Sequence, residues 1–272
     1  MYKEILYEIE DPIATLTLNR PEVLNAWTDR MSAEVKHALA QAEGDPRVVT
    51  ILLTGAGRGF CSGADLKRLQ ALGKGSRGRE IPEGLEADPG DATMEDFRGT
   101  YTFPMSMRKP VIAAINGPVA GMAVPIALAC DLRFASDRAR FTTAFSQRGL
   151  VAEWGVSWLL TRLVGPAHAL DILLSARVFD AAEAERIGLV NRVLPHDELL
   201  PFAREYAREL ATSCSPSSLA IMKRQVYESL HERLGSVEKE SVRLMLESFQ
   251  RPDFREGVNS FLEKRHPKFE RL

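Results

Sequence analysis

Apolar and polar positions alternate over residues 5–10 and 13–18, with Asp11-Pro12 as turn punctuation between them, so the chain opens on two strands arranged like a hairpin. Asn19-Arg20-Pro21 closes the second strand. Beyond PEVLNAW, Thr28 is an N-cap, and Met31, Val35, Ala38, Leu39 and Ala42 recur at helical spacing, which predicts a helix ending near Gly44. Residues 48–53 form an unbroken apolar run, the pattern of a buried strand. It runs through Thr54-Gly55-Ala56-Gly57 into Arg58-Gly59-Phe60-Cys61-Ser62-Gly63-Ala64-Asp65-Leu66, a glycine-rich loop that leads into a helix.

Residues 73–91 shift to glycine, proline and charge (GKGSRGREIPEGLEADPGD), which predicts a long loop, either a lid over a ligand or a surface excursion without a role. Residues 92–107 are expected to resume as a helix. The stretch KPVIAAINGPVAGMAVPIALACD, ending at Asp131, organises the rest: a buried strand over 111–115, a turn at Asn116-Gly117-Pro118, and an all-apolar helix from Met122 onward. Such a helix aims free backbone N–H groups at whatever lies above the strand ends, which favours an anion or a developing oxyanion. The alternative is a helix packed behind a turn with nothing at its end.

Short strands are expected at 132–135 and 139–142. Glu153 then stands among apolar and aromatic residues in a glycine-bounded loop before a helix over 157–163. Asp180 with Glu183 is a capping-box-like helix start, that helix ends at Gly188, and a strand follows over 189–194. From Pro201 the pattern is helical to the end: 202–210, then a helix opened by Ser215-Pro216, then one opened by Ser236. The apolar faces of this extension require a cover, so a homo-oligomer is expected.

At 272 residues and 45% apolar content the chain can bury a full core, as a core of residues 1–200 with a helical region over 201–272. A net charge of −2 with dispersed basic residues argues against a nucleic-acid partner. Cys61, Cys130 and Cys214 lack metal or disulfide spacing, the first residues lack the pattern of a signal peptide, and no apolar run approaches a membrane span, so a cytoplasmic location is expected. The five histidines have no metal spacing, and none is read as catalytic.

The ordered set LNRPEVLNAW, GRGFCSGADLK, KPVIAAINGPVAGMAVPIALACDLRFAS, the WLLTRLVG stretch, the segment 182–193 and FLEKRHPKF resembles the crotonase (enoyl-CoA hydratase/isomerase) superfamily over nearly the whole chain. The resemblance implies an α/β fold, a crotonase-like spiral of repeated β-β-α units with a C-terminal helical trimerisation region, assembled as a homotrimer or a dimer of trimers. It implies an acyl-CoA thioester substrate, with CoA part of that substrate and no separate cofactor. The thioester carbonyl would lie between the backbone N–H groups of Ala64 and Met122, an arrangement that stabilises an enolate more than the ground state. Ala64, Asp65, Leu66 and Lys67 would line the CoA channel beside Val23 and Leu24, with Arg20, Lys67 and Lys264 as candidates for the phosphates.

The chain departs from the family's hydratases where they carry two glutamates, because those positions fall on Pro125 and Phe145. Glu153 lies eight residues past Phe145, where isomerases of the family carry their catalytic carboxylate. One carboxylate suits an allylic isomerisation, since a single base can take a proton and return it elsewhere. Asp65 and Asp131 read as caps for backbone donors. The expected function is therefore enoyl-CoA isomerisation or hydration with Glu153 as proton shuttle. The alternatives are a non-catalytic acyl-CoA-binding subunit, or a hydrolase or ring-opening enzyme for a cyclic acyl-CoA with Phe145, Trp154 and Trp158 shaping the pocket.

Overall fold

A computed structural model describes residues 2–75, 81–91 and 93–272. A six-stranded sheet runs in the order β1 (Ile5–Glu10), β2 (Ile13–Leu18), β3 (Thr50–Gly55), β4 (Val111–Ile115), β6 (Leu132–Ser136), β9 (Arg192–Leu194). The first pair is antiparallel, with Glu10 opposite Ile13, and the remaining neighbours are parallel. A smaller sheet joins β5 (Val119–Ala120), β7 (Arg140–Thr142) and β8 (Phe179–Asp180).

The apolar runs of β3 and β4 are unbroken because both faces of the sheet are covered. Ile51, Leu53, Val111, Ala113 and Ile115 face the main core, which they share with α1 (Asp29–Gly44), α3 (Ala123–Ala129) and the start of α4 (Val156–Ser175). Leu52, Ile112, Ala114 and Phe134, one residue out of phase, face Leu199, Ala203 and Ala207 of α6 (His196–Ser213). The helix expected over 202–210 is thus longer and packed on the sheet, and the boundary at residue 200 falls inside it. Thr28 caps α1 through its hydroxyl, which accepts the Met31 N–H at 2.9 Å, α2 (Leu66–Gly73) follows the glycine-rich loop, and the Asp180 carboxylate caps α5 (Ala181–Arg186).

The helix expected over 92–107 is absent from the described residues of that range. Two 3-10 turns, Glu95–Phe97 and Phe103–Ser106, take its place. Met94, Phe97, Tyr101, Phe103, Met105 and Met107 are all buried, so the segment fills the core in several directions and has no single apolar face. Gly99 and Pro104 interrupt a helical pattern there. Within the loop assigned to 73–91, residues 76–80, like Ala92, lie outside the described residues. The helix expected over 157–163 extends from Val156 to Ser175, kinked at Gly165-Pro166.

Three further helices follow: α7 (Pro216–Ser229), α8 (Leu234–Ser248), which starts ahead of Ser236, and α9 (Pro252–Glu263). α7 is anchored by Lys223, whose ammonium donates to the Asp131 carboxylate at 2.7 Å and to the Pro104 and Lys109 carbonyls. Among the described residues no helix is long and apolar enough to cross a membrane.

Candidate active site

Three loops meet at the strand ends. Asn25, fully buried, accepts the Arg20 N–H at 2.8 Å and donates to the Ala56 and Gly59 carbonyls at 3.0 and 2.8 Å. Leu24 and Asn25 both take left-handed backbone conformations, which turns the loop onto the glycine-rich segment. Asn116 joins the third loop by accepting the Gly55 N–H and donating to the Gly57 carbonyl. Gly117 lies so close to the Arg58 carbonyl that a Cβ there would collide with it. The turn at Asn116 was legible in the sequence, but the bonds by which Asn25 and Asn116 lace the three loops together were not.

The direction of two backbone groups follows from this lacing. Trp27 donates its N–H to the Gly63 carbonyl at 2.7 Å and accepts the Asp65 N–H at 2.9 Å. A trans peptide points its C=O and N–H in opposite directions, so the Ala64 N–H faces away from Trp27. On that other side lies the segment 118–122, which pairs with Cys61 through bonds of 3.0 and 3.1 Å. A Cβ on Gly63 would sit 2.8 Å from the Ala120 carbonyl oxygen and 3.6 Å from the Met122 nitrogen, so the two loops approach to contact distance. The Gly121 carbonyl accepts the Val124 N–H at 3.0 Å, which turns the Met122 N–H outward from the end of α3. Among the described residues, nothing accepts either N–H.

Glu153 follows a 3-10 turn, Ser146–Arg148, and precedes Trp154 and Gly155, both in left-handed conformations, before α4 begins. Its carbonyl accepts the Val156 N–H at 3.0 Å. The carboxyl is half-buried, and this desolvation raises its pKa above the ordinary range, against the opposing effect of a hydrogen bond from the Trp154 side chain. The Trp154 ring stands edge-on to Tyr101 at 5.0 Å, and Tyr101 stands edge-on to Trp27 at 5.9 Å. One aromatic line, buried at Tyr101 and Trp27 and exposed at Trp154, therefore runs from the residue beside Glu153 to the residue paired with Ala64, a link that sequence spacing does not reveal.

The expected CoA-channel residues divide. Asp65 accepts two bonds from the Arg20 guanidinium at 3.1 Å and the Lys67 N–H at 2.9 Å. Burial pushes this carboxyl up, but the Lys67 N–H and Arg20 outweigh it and hold the pKa below its ordinary value. Arg20 is also 3.7 Å from Glu4, so its charge is engaged on both sides. Leu66, Lys67 and Val23 are exposed on the outer side of the loops, while Leu24 packs against Gly59. Lys264 ends α9, and among the described residues no hydrogen bond or ion pair joins it to these loops. Asp131, like Asp65, accepts a backbone N–H, that of Val111 at 2.7 Å.

The model of the family described as enoyl-CoA hydratase/isomerase matches residues 8–271. The chain belongs to the enoyl-CoA hydratase/isomerase family. It is 38% identical over 268 residues to a Rhodobacter capsulatus protein named "Probable enoyl-CoA hydratase", with 98% of each chain covered. It is 36% identical over 273 residues to the 1,2-epoxyphenylacetyl-CoA isomerase of Escherichia coli, with 99% of each covered. An enoyl-CoA hydratase/isomerase structure from Mycobacterium paratuberculosis superposes with a TM-score of 0.85 at 30% identity, covering 99% of both chains. The crotonase fold and an acyl-CoA-metabolising activity of the hydratase/isomerase type are thereby established.

Within this family member, the two positions assigned to hydratase glutamates hold groups that cannot carry a proton. Pro125 lies in the first turns of α3, and Phe145 is 3% exposed in the main core. Trp154 and Trp158 line a cleft, which Ala64, Met122 and Glu153 do not line. Phe145 is not among the residues lining that cleft, because it packs inward against the core.

Proposed function

We propose that the chain isomerises enoyl-CoA thioesters, moving a carbon–carbon double bond between the β,γ and α,β positions. The observation that carries this reading is the half-buried carboxyl of Glu153, together with Pro125 and Phe145 at the positions that the resemblance assigns to the hydratase glutamates. Glu153 takes the α proton of a 3-enoyl thioester, and the electron pair flows onto the thioester oxygen. The Ala64 and Met122 N–H groups hold that oxyanion, each worth on the order of 3–4 kcal/mol by comparison with other oxyanion donors. As the pair returns, the new double bond forms between Cα and Cβ, and the γ carbon takes the proton from Glu153. Nothing is added to or lost from the substrate. A raised pKa serves both halves, because the group must accept a proton and then release it.

CoA lies along Ala64, Asp65, Leu66 and Lys67, beside Val23 and Leu24, as part of the substrate and without a separate cofactor. Lys67 and Lys264 reach its phosphates, and Arg20 acts by holding Asp65. Exposed apolar residues on all three terminal helices, including Met222, Val226, Leu246, Phe249, Phe261 and Leu262, support a homotrimer, singly or paired. Three free cysteines support a reducing compartment, the cytoplasm.

The test compares wild type with Glu153→Gln on a 3-enoyl-CoA and a 2-enoyl-CoA in deuterated water, with products identified by mass. Conversion of the 3-enoyl substrate without gain of water, abolished in the variant, supports isomerisation. Water gained by the 2-enoyl substrate would make the protein a hydratase that uses one carboxylate, the second reading, which the relatives named as hydratases favour. Silence on both, with CoA thioesters still bound, would point to an acyl-CoA-binding subunit.

A further inference from the structure

We propose that the acyl group of the substrate ends in an aromatic ring, which seats in the aromatic cleft walled by Trp154, the residue after Glu153; this rests on the acyl-CoA reading above. The cleft has a volume of about 520 Å³, and Trp154, the residue following Glu153, forms part of its wall. An apolar cavity of about 150 Å³ is enough to hold a benzene ring, so the cleft has room for an aryl group and the carbons that join it to the thioester.

The walls favour a planar occupant. Tyr101, Trp154, Trp158, Phe97 and His231 all line the cleft, with Met105 among them. Their rings are already set in edge-on and stacked pairs: Tyr101 with Trp154 at 80°, Phe97 with Trp158 at 64°, and Trp158 with His231 at 24°. An entering ring extends this array with edge and face contacts that an alkyl chain cannot make, each worth about twofold to tenfold in affinity beyond area burial. A methionine thioether at a ring edge adds a soft contact of the same kind.

Aromatic walls also suit a quaternary ammonium group, and Asp96 stands where this cleft meets a larger one lined by Glu95, Glu228, Glu232 and Glu240. The charge already on Trp158 decides against it. The Arg162 guanidinium lies 3.8 Å from the centre of that ring, so a second cation at Trp158 meets like charge, whereas a neutral ring does not.

Equilibrium binding of saturated thioesters separates this proposal from the proposed reaction, because it needs no turnover. The probes are 4-phenylbutanoyl-CoA and decanoyl-CoA, which have equal carbon counts, and a trimethylammonium-bearing acyl-CoA, each titrated calorimetrically. The aryl thioester is expected to bind about fivefold tighter than decanoyl-CoA. In Trp158→Leu that ratio falls to about one, while Trp158→Phe keeps most of it. The comparison is a ratio within each variant, so a general loss of affinity does not imitate the result, and circular dichroism confirms that each variant is folded. Equal or tighter binding of decanoyl-CoA in the wild type, tighter binding of the ammonium thioester, or an unchanged ratio in Trp158→Leu would overturn the proposal. Aryl preference without turnover of any enoyl-CoA would overturn the isomerase reading and leave this inference standing.

Discussion

Tyr101 packs edge-on against Trp154, with ring centroids 5.0 Å apart and planes at 80°, and so supports the loop that carries Glu153. Tyr101 is 2% exposed and also touches Trp27, whose backbone bonds hold Gly63 and Asp65 around Ala64. One ring thus braces both the candidate proton carrier and one of the two candidate oxyanion donors. Tyr101→Ala is expected to destabilise the fold by about 3–5 kcal/mol, the range for a large aromatic removed from a core. Tyr101→Phe keeps the ring and should retain most of the activity. Urea denaturation of both variants, with turnover measured on the folded protein, checks this.

The pH profile should report Glu153 directly. In the proposed reaction the carboxylate must be ionised, so kcat/KM is expected to fall on the acid side, with a midpoint above the ordinary glutamate value of 4.5 because burial disfavours the charge. Trp154→Phe keeps the ring but removes the N–H that opposes this shift, so its acid limb should move to still higher pH. An unmoved limb in Trp154→Phe would separate the limb from Glu153.

The same shift has a consequence for stability. A carboxyl whose folded-state pKa is raised binds protons more readily folded than unfolded, so its ionisation destabilises the fold above the folded-state pKa. That penalty is relieved as pH falls through the folded-state value towards the unfolded one. Glu153→Gln is therefore expected to melt higher than wild type at neutral pH, with a difference that shrinks as the solution is acidified. Melting curves across the acid range check both the sign and the trend.

The strands and most helices were readable because each buries a face with a regular period: two in β1 and β2, unbroken in β3 and β4, and 3.6 in α1. The segment before β4 was misread because Phe97, Tyr101 and Phe103 point into different parts of the core, and no period encodes that. For the site, Ala64, Met122 and Glu153 are candidates that the family motifs supplied, while the capping roles of Asp65 and Asp131 were legible and are seen in their bonds from the Lys67 and Val111 N–H groups. The aromatic line from Trp27 through Tyr101 to Trp154 was not, since its members are 74 and 53 residues apart and meet only after the sheet has formed. The engagement of Arg20 by Asp65 and Glu4 was likewise a tertiary fact.

Gly63 offers a test of the candidate oxyanion donors that leaves every functional group in place. Its φ of +97° strains any side chain, and a Cβ would lie 2.8 Å from the Ala120 carbonyl oxygen. Gly63→Ala must therefore separate the loops of Ala64 and Met122. Misplacing one oxyanion donor is expected to lower kcat by about 10²–10³. Binding of a saturated acyl-CoA should change far less, because that oxygen carries no developing charge. Turnover and calorimetry on the same preparation distinguish the two effects, and a parallel loss in both would mean that the loop serves binding alone.

Lys223 gives the last prediction, one about how the terminal helices hold the site. Its ammonium spends all three donors, on the partly buried Asp131 carboxylate at 2.7 Å, the Pro104 carbonyl at 2.7 Å and the Lys109 carbonyl at 3.1 Å. Asp131 in turn accepts the Val111 N–H that opens β4 and the Tyr227 hydroxyl of α7, both at 2.7 Å. Lys223→Met removes the cation and leaves a largely buried carboxylate without its counter-charge, which is expected to destabilise by about 3–5 kcal/mol. Adding Asp131→Asn neutralises the stranded charge, so the double variant should be more stable than Lys223→Met alone. Because Pro104 and Lys109 bracket Met105 and Met107, loosening this clamp also frees the segment that carries the Met105 wall of the proposed acyl cleft. Affinity for bulky acyl-CoA should therefore fall in Lys223→Met even where the variant remains folded. Chemical denaturation of the wild type, the single variants and the double variant measures the coupling; strict additivity of the two changes would show that the pair contributes no specific interaction.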